Sequence, residues 1–453
     1  IKMVRLSDFK IYLSAMALLL PVAYIHYGIQ REQFTLLMVL YAVAFAGFMG
    51  LYYSANDQRR MNLVISIGFI GRIMLLFGLP VLSNDFYRFI WDGRMMAMGI
   101  NPYLVLPESI PETETYSRVG EDAEALYRGM GALSSGNYTC YPPVNQFVFA
   151  LVAFISPESI AGSVILMRIL IILSEAGTFF YGRKVLNRLG LPESNILLYF
   201  INPFIILELT GNLHFEAVTI FFLVIALYTL LRNKFINSAI WLSIAVSVKL
   251  IPLIFLPLFA KKLGSKNWIK YLLVVLLVNV LLFAPFISQG LAENFFSSLD
   301  LYFRKFEFNA GIYYLIRWIG FETRGWNIIQ TAGPVLGMLV FAFVWVLAFA
   351  GKNSNNKTLI VSMLFAISVY YLLSTTVHPW YLAIPLILSV FTRYRFVLLW
   401  SLLVMLSYYA YSQPDYRENM LVIVLEYIPV YGMLFLELFG VRFFCNKTAM
   451  RLP

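Results

Sequence analysis

The sequence predicts an all-α protein that crosses a membrane many times. Of its 453 residues, 60% are hydrophobic and only 13% are charged, whereas about a quarter of the residues in an ordinary soluble domain are charged. Apolar stretches of about 17 residues or more recur along the chain, and each can cross the roughly 30 Å hydrocarbon core as a helix. No region between them has the length of a soluble domain, so we expect one integral membrane domain over residues 1–453.

The apolar stretches predict about twelve transmembrane helices, and the basic residues between them predict their direction, because cytoplasmic loops carry most lysines and arginines. Placing the N-terminus in the cytoplasm puts 21 of the 34 basic residues inside, from Lys2, Arg5 and Lys10 to Arg442, Lys447 and Arg451. Both termini are therefore expected in the cytoplasm. The predicted spans are Ile11–Tyr27, Phe34–Tyr53, Asn62–Leu82, Ile160–Tyr181, Asn195–Leu209, Phe215–Leu231, Ile269–Phe286, Gln330–Phe349, Leu359–Ser374, Tyr381–Phe391, Phe396–Tyr411 and Met420–Phe439.

The formal net charge of +10 does not indicate a nucleic-acid-binding protein. The basic residues are spread in groups of two to four between apolar stretches rather than gathered on one face, so the lipid bilayer is the partner that they predict. Cys140 and Cys445 fall on opposite sides of the membrane in this topology, and no disulfide between them is expected.

Residues 236–260 do not fit a full crossing. Basic pairs flank this segment on both sides, and a full crossing would place one pair outside. The segment is therefore predicted to be a re-entrant hairpin, broken at Pro252 and Pro257, with Lys249 at its tip. Irregular backbone within the membrane is tolerated only where it is buried in protein or lines a cavity, so this hairpin should face a site. Val144–Phe154 is short and follows two prolines, which predicts a second re-entrant segment.

Two long polar segments are predicted on the outer side of the membrane. Residues 83–142 form the first outer loop and residues 288–327 the second. Interfacial helices are expected in both, because basic groups alternate with aromatic residues in the second loop and apolar residues interleave with charged ones in the first. Short outer turns are also predicted at Thr210–His214, Thr375–Trp380 and Ser412–Asn419. Chemistry that faces water must lie in these loops and turns, and residues 83–142 are predicted to be the catalytic loop.

The first outer loop opens with two carboxylates, Asp85 and Asp92, seven residues apart. Seven residues make two helical turns, so a helix here would place Asp85, Arg88 and Asp92 on one face. One interpretation is that this face looks into an outer cavity. The other is that the charged residues pair with each other and only make the loop soluble.

The motif SNDFYRFIWDGRMMAMGINPY at 83–103, followed by YPPVNQF at 141–147, resembles the first-loop signature of C-type glycosyltransferases. The resemblance is to bacterial polyprenyl-phosphate-mannose-dependent mannosyltransferases and the glycosylphosphatidylinositol mannosyltransferase. The family often has two consecutive acidic residues where this chain has Asn84 and Asp85, which leaves Asp85 as the match to the catalytic acid. Further likenesses to the family are NLHFEA at 212–217, VKLIPL at 248–253, FEFNAGIYYLIRWIG at 306–320 and VHPWYL at 377–382. Together with the first-loop motif, they spread the resemblance over about two thirds of the chain.

The resemblance implies a bundle in a bacterial inner membrane with a periplasmic active site. It implies an inverting transfer of a hexose, with mannose as the family's sugar, from a polyprenyl-phosphate donor to a hydroxyl of a glycan, glycolipid or protein acceptor. A direct displacement needs one carboxylate as general base, and Asp85 is that residue. Cations stabilise the leaving phosphate, and Lys249, His378 and Arg88 are expected to bind it. Arg88, Asp92 and Arg94 are expected to shape the acceptor side, where Asp92 and Arg94 bind the substrate and Asp92 orients Arg94 or the acceptor.

The motifs around Lys249 leave alternatives open. Lys249 binds the donor phosphate or forms a structural ion pair with Glu208 or Glu216. His214 and Glu216 begin a helix and are expected to contact the donor sugar or to orient Lys249. Arg72 and Glu175 lie within predicted spans, where an unpaired charge is costly, so they are expected to pair with each other or with backbone.

The HPWY motif carries His378 and Tyr381. Both are expected at the substrate, Tyr381 as a contact, although Trp380 and Tyr381 could equally belong to an aromatic belt at the membrane surface. No cofactor is expected. A divalent metal is not favoured, because His214 and His378 show no HxxxH-type spacing.

Two other function classes compete with a glycosyltransferase. A transporter or flippase of lipid-linked sugars predicts an internal repeat and paired charges at the membrane midplane, and neither is evident in the sequence. An oligosaccharide polymerase or ligase would also use basic groups for a lipid pyrophosphate, but its base need not be Asp85.

Overall fold

The computed structural model describes residues 6–441 except residue 112, and the side chains of residues 9–441 except those of residues 112 and 302. Outside this part lie Cys445 and five of the basic residues that predict the orientation, namely Lys2, Arg5, Arg442, Lys447 and Arg451. Within the described part the protein is all-α, with an isolated bridge between Phe308 and Thr376. The predicted fold class, an all-α polytopic membrane protein, is confirmed.

The described residues form α-helices joined by short 3₁₀ segments. The 3₁₀ segments are Pro102–Leu104, Pro107–Ser109, Glu193–Ile196, Ile251–Phe259, Ala284–Phe286, Pro379–Leu382 and Val404–Ser412, and Ile206–Gly211 is a π-helical turn. The α-helices are α1 (Leu6–Tyr27), α2 (Phe34–Ser54), α3 (Gln58–Ile73), α4 (Asp85–Ala97), α5 (Glu114–Val119), α6 (Ala123–Ser135), α7 (Pro143–Ile155), α8 (Ile160–Arg188), α9 (Leu197–Phe200), α10 (Pro203–Ile205), α11 (Glu216–Leu231), α12 (Phe235–Val248), α13 (Ala260–Leu263), α14 (Ser265–Phe283), α15 (Leu291–Arg304), α16 (Ile312–Arg324), α17 (Ile329–Ala350), α18 (Asn356–Leu373), α19 (Ala383–Val390), α20 (Phe396–Leu403) and α21 (Met420–Leu438).

Among the described residues, seven helices are long and apolar enough to cross a membrane, and an eighth span is possible if one bent pair counts as a crossing. The predicted count of about twelve full spans is not confirmed. The seven are Phe9–Tyr27, Phe34–Ser54, Ile160–Arg188, Ser265–Phe286, Ile329–Ala350, Asn356–Leu373 and Met420–Leu438. Other apolar stretches form helices of 10–17 residues, namely Pro143–Ile155, Glu216–Leu231, Phe235–Val248, Pro379–Val390 and Phe396–Ser412.

Two predicted spans are not continuous helices. The stretch Asn195–Leu209 bends by 49° between Glu193–Phe200 and Pro203–Gly211, because Pro203 lacks the amide that would continue the helix. The Asn202 side chain accepts a hydrogen bond from the Phe204 amide (3.0 Å) and starts the new segment. The stretch Asn62–Leu82 is helical only to Ile73 and continues through Gly78 and Pro80 without helix.

Residues 236–260 run along the bundle and turn at Lys249. The helix α12 ends at Val248, and Lys249 is extended (φ −145°, ψ 136°). The freed Val248 carbonyl accepts from the Asn145 side chain (2.9 Å). Lys261, after the turn, bonds the carbonyls of Phe349 and Gly351 at the far end of α17. The break therefore falls at Lys249 itself rather than at Pro252 or Pro257, and it places this lysine at the end of the bundle that holds the site, called here the cavity end.

Buried polar contacts hold the bundle together beneath the cavity end. Arg72 and Glu175 form an ion pair with both side chains fully buried, as predicted. Arg168 of α8 donates to the carbonyls of Thr210 (2.9 Å) and Gly211 (2.9 Å), just before His214. A buried charge needs such partners, because desolvation without them is costly. These contacts fix the turn from which the site residues emerge.

The helix α4 lies against other helices at the cavity end. Phe86, Phe89 and Trp91 are only 1–2% exposed, and Phe89 stacks on Phe149 of α7 with ring centroids 4.8 Å apart. At Gly93 an added Cβ would lie 2.2 Å from the Phe149 carbonyl oxygen, so the backbones of α4 and α7 touch there. Close packing of this kind sets the direction of α4 and thus of its charged residues.

Residues 288–327 contain two amphipathic helices, α15 and α16. In α16, Leu315, Trp318 and Ile319 are 50–64% exposed on one side, while Tyr313 and Tyr314 are buried on the other. The segment between the helices joins the bundle through two backbone hydrogen bonds, from the Phe308 amide to Thr375 (3.0 Å) and from the Val377 amide to Phe308 (2.8 Å). This bridge helps to place residues of the segment 288–327 on the wall of the site.

Candidate active site

A cavity of about 680 Å³ opens at the cavity end, where residues from 83–142 and 288–327 meet the bundle. Charged and aromatic residues line one side, and apolar residues of α17 and α18, including Leu336, Val340 and Leu373, line another. Six of the nine residues that the sequence predicts at the site lie on the cavity wall, namely Asp85, Arg88, Glu216, Lys249, His378 and Tyr381. Asp92, Arg94 and His214 are not on the wall.

Asp85 is the first residue of α4, and its side chain is 32% exposed. The preceding Asn84 donates to the Gly129 carbonyl (3.0 Å), which ties the start of α4 to α6. The pKa of Asp85 is raised to about 6, mainly by burial; Lys249 and Arg31 lower this pKa, whereas Glu216 contributes to raising it. A carboxyl with this pKa is ionised at neutral pH and is a better proton acceptor than an ordinary aspartate.

Lys249 forms an ion pair with Glu216, one of the two partners considered from the sequence. Its side chain is 22% exposed toward the cavity, whereas Glu216 is only 2% exposed. The ammonium also lies 5.7 Å from the centroid of the Tyr381 ring, within the range of a cation–π contact. These contacts fix the Lys249 ammonium at the cavity wall.

Arg88 and Asp92 pair with each other (2.6 Å) one turn apart on α4. Arg88 also donates to the carbonyls of Ser134 (2.5 Å) and Asn137 (2.9 Å). Asp92 is 1% exposed and also accepts from Gln146 (3.2 Å). The interpretation in which these charges pair with each other therefore describes Arg88 and Asp92, although not Asp85.

The expectation that Asp92 orients Arg94 was wrong. Arg94 is 4% exposed and pairs with Asp122, and it donates to the Val119 carbonyl (3.0 Å). Arg94 points away from Asp92, because residues two positions apart in a helix do not face each other. Arg94 thus fastens the stretch around Asp122 to α4.

His214 lies behind Asp85 rather than on the cavity wall. Its Nδ1 is 3.9 Å from an Asp85 oxygen and its Nε2 is 3.7 Å from Glu208. The ring stacks on Trp380 with centroids 3.7 Å apart. Leu213, just before it, has a φ of 63°, a left-handed conformation that costs a non-glycine residue about 1–2 kcal/mol. Surrounding packing holds the turn in this form and sets the imidazole against the carboxylate.

His378 stands on the wall as a neutral ring. It stacks on Trp380 (4.6 Å between centroids) and Phe308 (5.0 Å). The pKa of His378 is lowered to about 3, mainly by burial and in part by the positive charges of Lys249 and Arg31. A ring with this pKa is neutral near pH 7, and the binding of His378 to the donor phosphate stays a prediction. A neutral imidazole can still donate one hydrogen bond.

Residues that the sequence argument did not select also reach the wall. Arg31, in the turn between α1 and α2, lies with its guanidinium carbon 3.8 Å from the Tyr411 ring centroid. Glu418 accepts from the Asn309 amide (2.6 Å) and bonds the Tyr314 hydroxyl, and burial raises its pKa. Arg31 had a signal in the sequence, since it is a basic residue in a turn assigned to the outer side, against the usual bias. Glu418 had none.

Comparison with known proteins identifies the family. The family model described as "Alpha-(1->6)-mannopyranosyltransferase, N-terminal domain" matches residues 18–263, more than half of the chain. The chain belongs to this family. A second family model, described as the ALG3 protein, matches residues 212–427 of the chain. The two models overlap at residues 212–263, which contain Glu216 and Lys249.

Curated relatives carry the same family name. Alpha-(1->6)-mannopyranosyltransferase A of Mycobacterium tuberculosis is 19% identical over 340 residues, 69% of this chain and 62% of the relative. Alpha-(1->6)-mannopyranosyltransferase B of Corynebacterium glutamicum is 24% identical over 212 residues, 45% of this chain and 33% of the relative. The matches thus span less than two thirds of the length of either relative.

Proposed function

We propose that this protein is an inverting glycosyltransferase that moves mannose from a polyprenyl-phosphate carrier to an acceptor hydroxyl. The observation that carries the proposal is Asp85, a partly exposed carboxylate with a pKa of about 6 on the wall of a cavity that Lys249 also lines. The names of the relatives support mannose as the sugar and an α-(1->6) linkage as the product.

In the proposed reaction the acceptor oxygen attacks the anomeric carbon of the mannose. Its proton passes to Asp85, the new C–O bond forms, and the bond from the anomeric carbon to the phosphate oxygen breaks with its electron pair. The products are the glycosylated acceptor and polyprenyl phosphate. Negative charge grows on the leaving phosphate, and a cation fixed nearby stabilises it. Lys249 is the proposed cation, and the neutral His378 donates a hydrogen bond.

The cavity has surfaces suited to both parts of such a donor. Its volume of about 680 Å³ falls within the range of about 300–1,000 Å³ typical of small-molecule sites. The partly exposed aromatic ring of Tyr381 can pack against a sugar ring, whereas Leu336 and Val340 of α17 suit a prenyl chain. Glu307 and Glu418 lie on the wall formed with the second outer loop and can accept hydrogen bonds from acceptor hydroxyls.

We also propose that the cavity faces the outside of a bacterial inner membrane. Basic residues lie at the opposite end of the bundle, where Arg183 pairs with Glu193 and Lys261 bonds the end of α17. A cluster of this kind is typical of the cytoplasmic side. Residues 83–142 and 288–327 are then the periplasmic loops, and 236–260 is a re-entrant hairpin.

The test is transfer of labelled mannose from polyprenyl-phosphate mannose by the purified full chain in nanodiscs. Asp85→Asn should lower kcat by about 10²–10⁴-fold, the usual contribution of a general base, with little change in donor binding. Asp415→Asn is the matched control, because Asp415 is exposed at the same end of the protein and does not line the cavity. Near-normal transfer by Asp85→Asn would refute the assignment, and activity only with lipid pyrophosphates would favour a polymerase or ligase.

A further inference from the structure

Among the described residues, three arginine or lysine side chains line the cavity: Arg31, Arg88 and Lys249. Arg88 pairs with Asp92, and Lys249 pairs with Glu216. Arg31 has no carboxylate within 4.0 Å in the part of the chain that the structure describes. Its guanidinium instead lies over the Tyr411 ring at 3.8 Å, and its Nε is buried with no hydrogen-bond partner.

The turn that carries Arg31 is built to point it inward. Hydrogen bonds from the Gly28 amide to Tyr24 (2.8 Å) and from the Gln33 amide to Gln30 (2.9 Å) close the turn. Ile29 is 5% exposed, and Phe34 packs edge-on against Tyr409 with ring centroids 5.3 Å apart. The turn is thus docked on the segment that contains Tyr411, and Arg31 is partly exposed at the cavity rather than free in solvent.

We infer that Arg31 binds the phosphate group of the lipid donor, as a second anion-binding residue besides Lys249. The inference rests on the proposed function, which supplies a phosphate in this cavity. Guanidinium is suited to the task, because its planar set of donors matches phosphate oxygens and stays charged at all relevant pH values. Stacking on Tyr411 fixes the plane of the guanidinium, so less side-chain entropy is lost when the phosphate binds.

Charge balance explains why this cation is needed. The Lys249–Glu216 pair has no net charge, and Asp85 must be ionised to act as a base. A phosphate diester brought beside Asp85 would add a second negative charge with only a neutralised lysine nearby. Arg31 supplies the missing positive charge, and its field reaches the same region, since it lowers the pKa of both Asp85 and His378. Base and phosphate can then both be ionised.

The first experiment measures donor kinetics of Arg31→Gln, Arg31→Lys and the control Arg128→Gln. Arg128 is exposed, lies in the first outer loop and does not line the cavity. Loss of a charged hydrogen bond to phosphate, about 1.5–3 kcal/mol, should raise the KM for polyprenyl-phosphate mannose and the inhibition constant of polyprenyl phosphate by about 10- to 100-fold. Inhibition by the uncharged polyprenol should not change, and Arg31→Lys should recover part of the loss.

The second experiment uses the wild-type protein, so it does not depend on how a variant folds. Phenylglyoxal labels accessible arginines, and the labelled peptides are identified by mass spectrometry. Polyprenyl phosphate should protect the Arg31 peptide, while polyprenol should not, and the Arg128 peptide should be labelled equally in both. Equal labelling of Arg31 with and without polyprenyl phosphate, or an unchanged KM in Arg31→Gln, overturns the inference. If wild type binds polyprenyl phosphate at Arg31 but transfers no mannose, the proposed function alone fails.

Discussion

The pH dependence of transfer tests the role of Asp85 most directly. With a pKa of about 6, only about a tenth of Asp85 is ionised at pH 5, whereas an aspartate with the ordinary pKa of about 3.9 would be almost fully ionised. The kcat/KM for the donor should therefore fall about tenfold between pH 7 and pH 5, with a midpoint near 6. A general base must be unprotonated, so activity is present above this midpoint and is lost as the pH falls through it.

The charged groups that face Asp85 give this prediction a sharper form. Glu216 raises the pKa of Asp85, whereas Lys249 and Arg31 lower it. His214 stays neutral over this range, because burial holds its pKa well below the ordinary value. Glu216→Gln should therefore move the acid limb to lower pH, and Arg31→Gln should move it to higher pH. A neutral amide in place of Glu216 preserves the size of the side chain, so packing changes little.

The assay measures transfer of labelled mannose by wild type and both variants at fixed ionic strength from pH 4.5 to pH 8.5. As a control for inactivation, each protein is incubated at each pH and returned to pH 7, where its full activity should be recovered. Asp415→Asn should keep the wild-type profile. An acid limb centred below about pH 4.5, near the ordinary carboxyl pKa, would contradict the argument. Movement of the limb in the same direction in both variants would also contradict it.

Two further predictions concern the scaffold. Glu175→Gln should destabilise the protein by about 3–5 kcal/mol, because it leaves Arg72 buried without its partner. The double variant with Met at positions 72 and 175 should be destabilised less, and thermal unfolding measures both effects. Gly333→Ala should raise the donor KM, because the added Cβ would lie 1.8 Å from the Phe303 carbonyl oxygen and push α15 away from the cavity. Gly432→Ala, with nothing within 4 Å, should be neutral or slightly stabilising, and an equal effect of both alanines on KM would rule out the proposed contact.

Composition and span length were enough to predict the fold class, but they could not give the number of full crossings. Hydropathy reports how apolar a stretch is, and a helix buried among other helices is as apolar as one in lipid. Glu216–Leu231 illustrates this, since most of its residues are buried inside the protein. The bend at Pro203 illustrates the other difficulty, because a proline within an apolar stretch either breaks it or kinks it, and local sequence does not decide which.

The site could be predicted in part because some of its residues carry unusual costs. Lys249 lies at the end of an apolar stretch, where a charge is costly unless it has a partner or a function. This cost predicted that Lys249 pairs with a carboxylate or binds a ligand. The pairing with Glu216 was one of two alternatives that the sequence left open. Which partner Lys249 takes depends on how α11 packs against α12, and residues 33 positions apart in the chain carry no local signal of that contact.

Helical periodicity places the carboxylates of Asp85 and Asp92 on one face of α4, but the two carboxylates have different roles. Asp85 and Asp92 share a face, yet only Asp85 meets the cavity, because Arg88 between them turns toward the loop after α6 and takes Asp92 as its partner. Arg88 holds the carbonyls of Ser134 and Asn137, both on the cavity wall. Asp92 therefore acts on the site through Arg88: it neutralises the guanidinium and holds it where it can fix the wall. One helix face thus carries a carboxylate available for chemistry in its first turn and, two turns further on, a carboxylate whose role is to keep the cavity in shape.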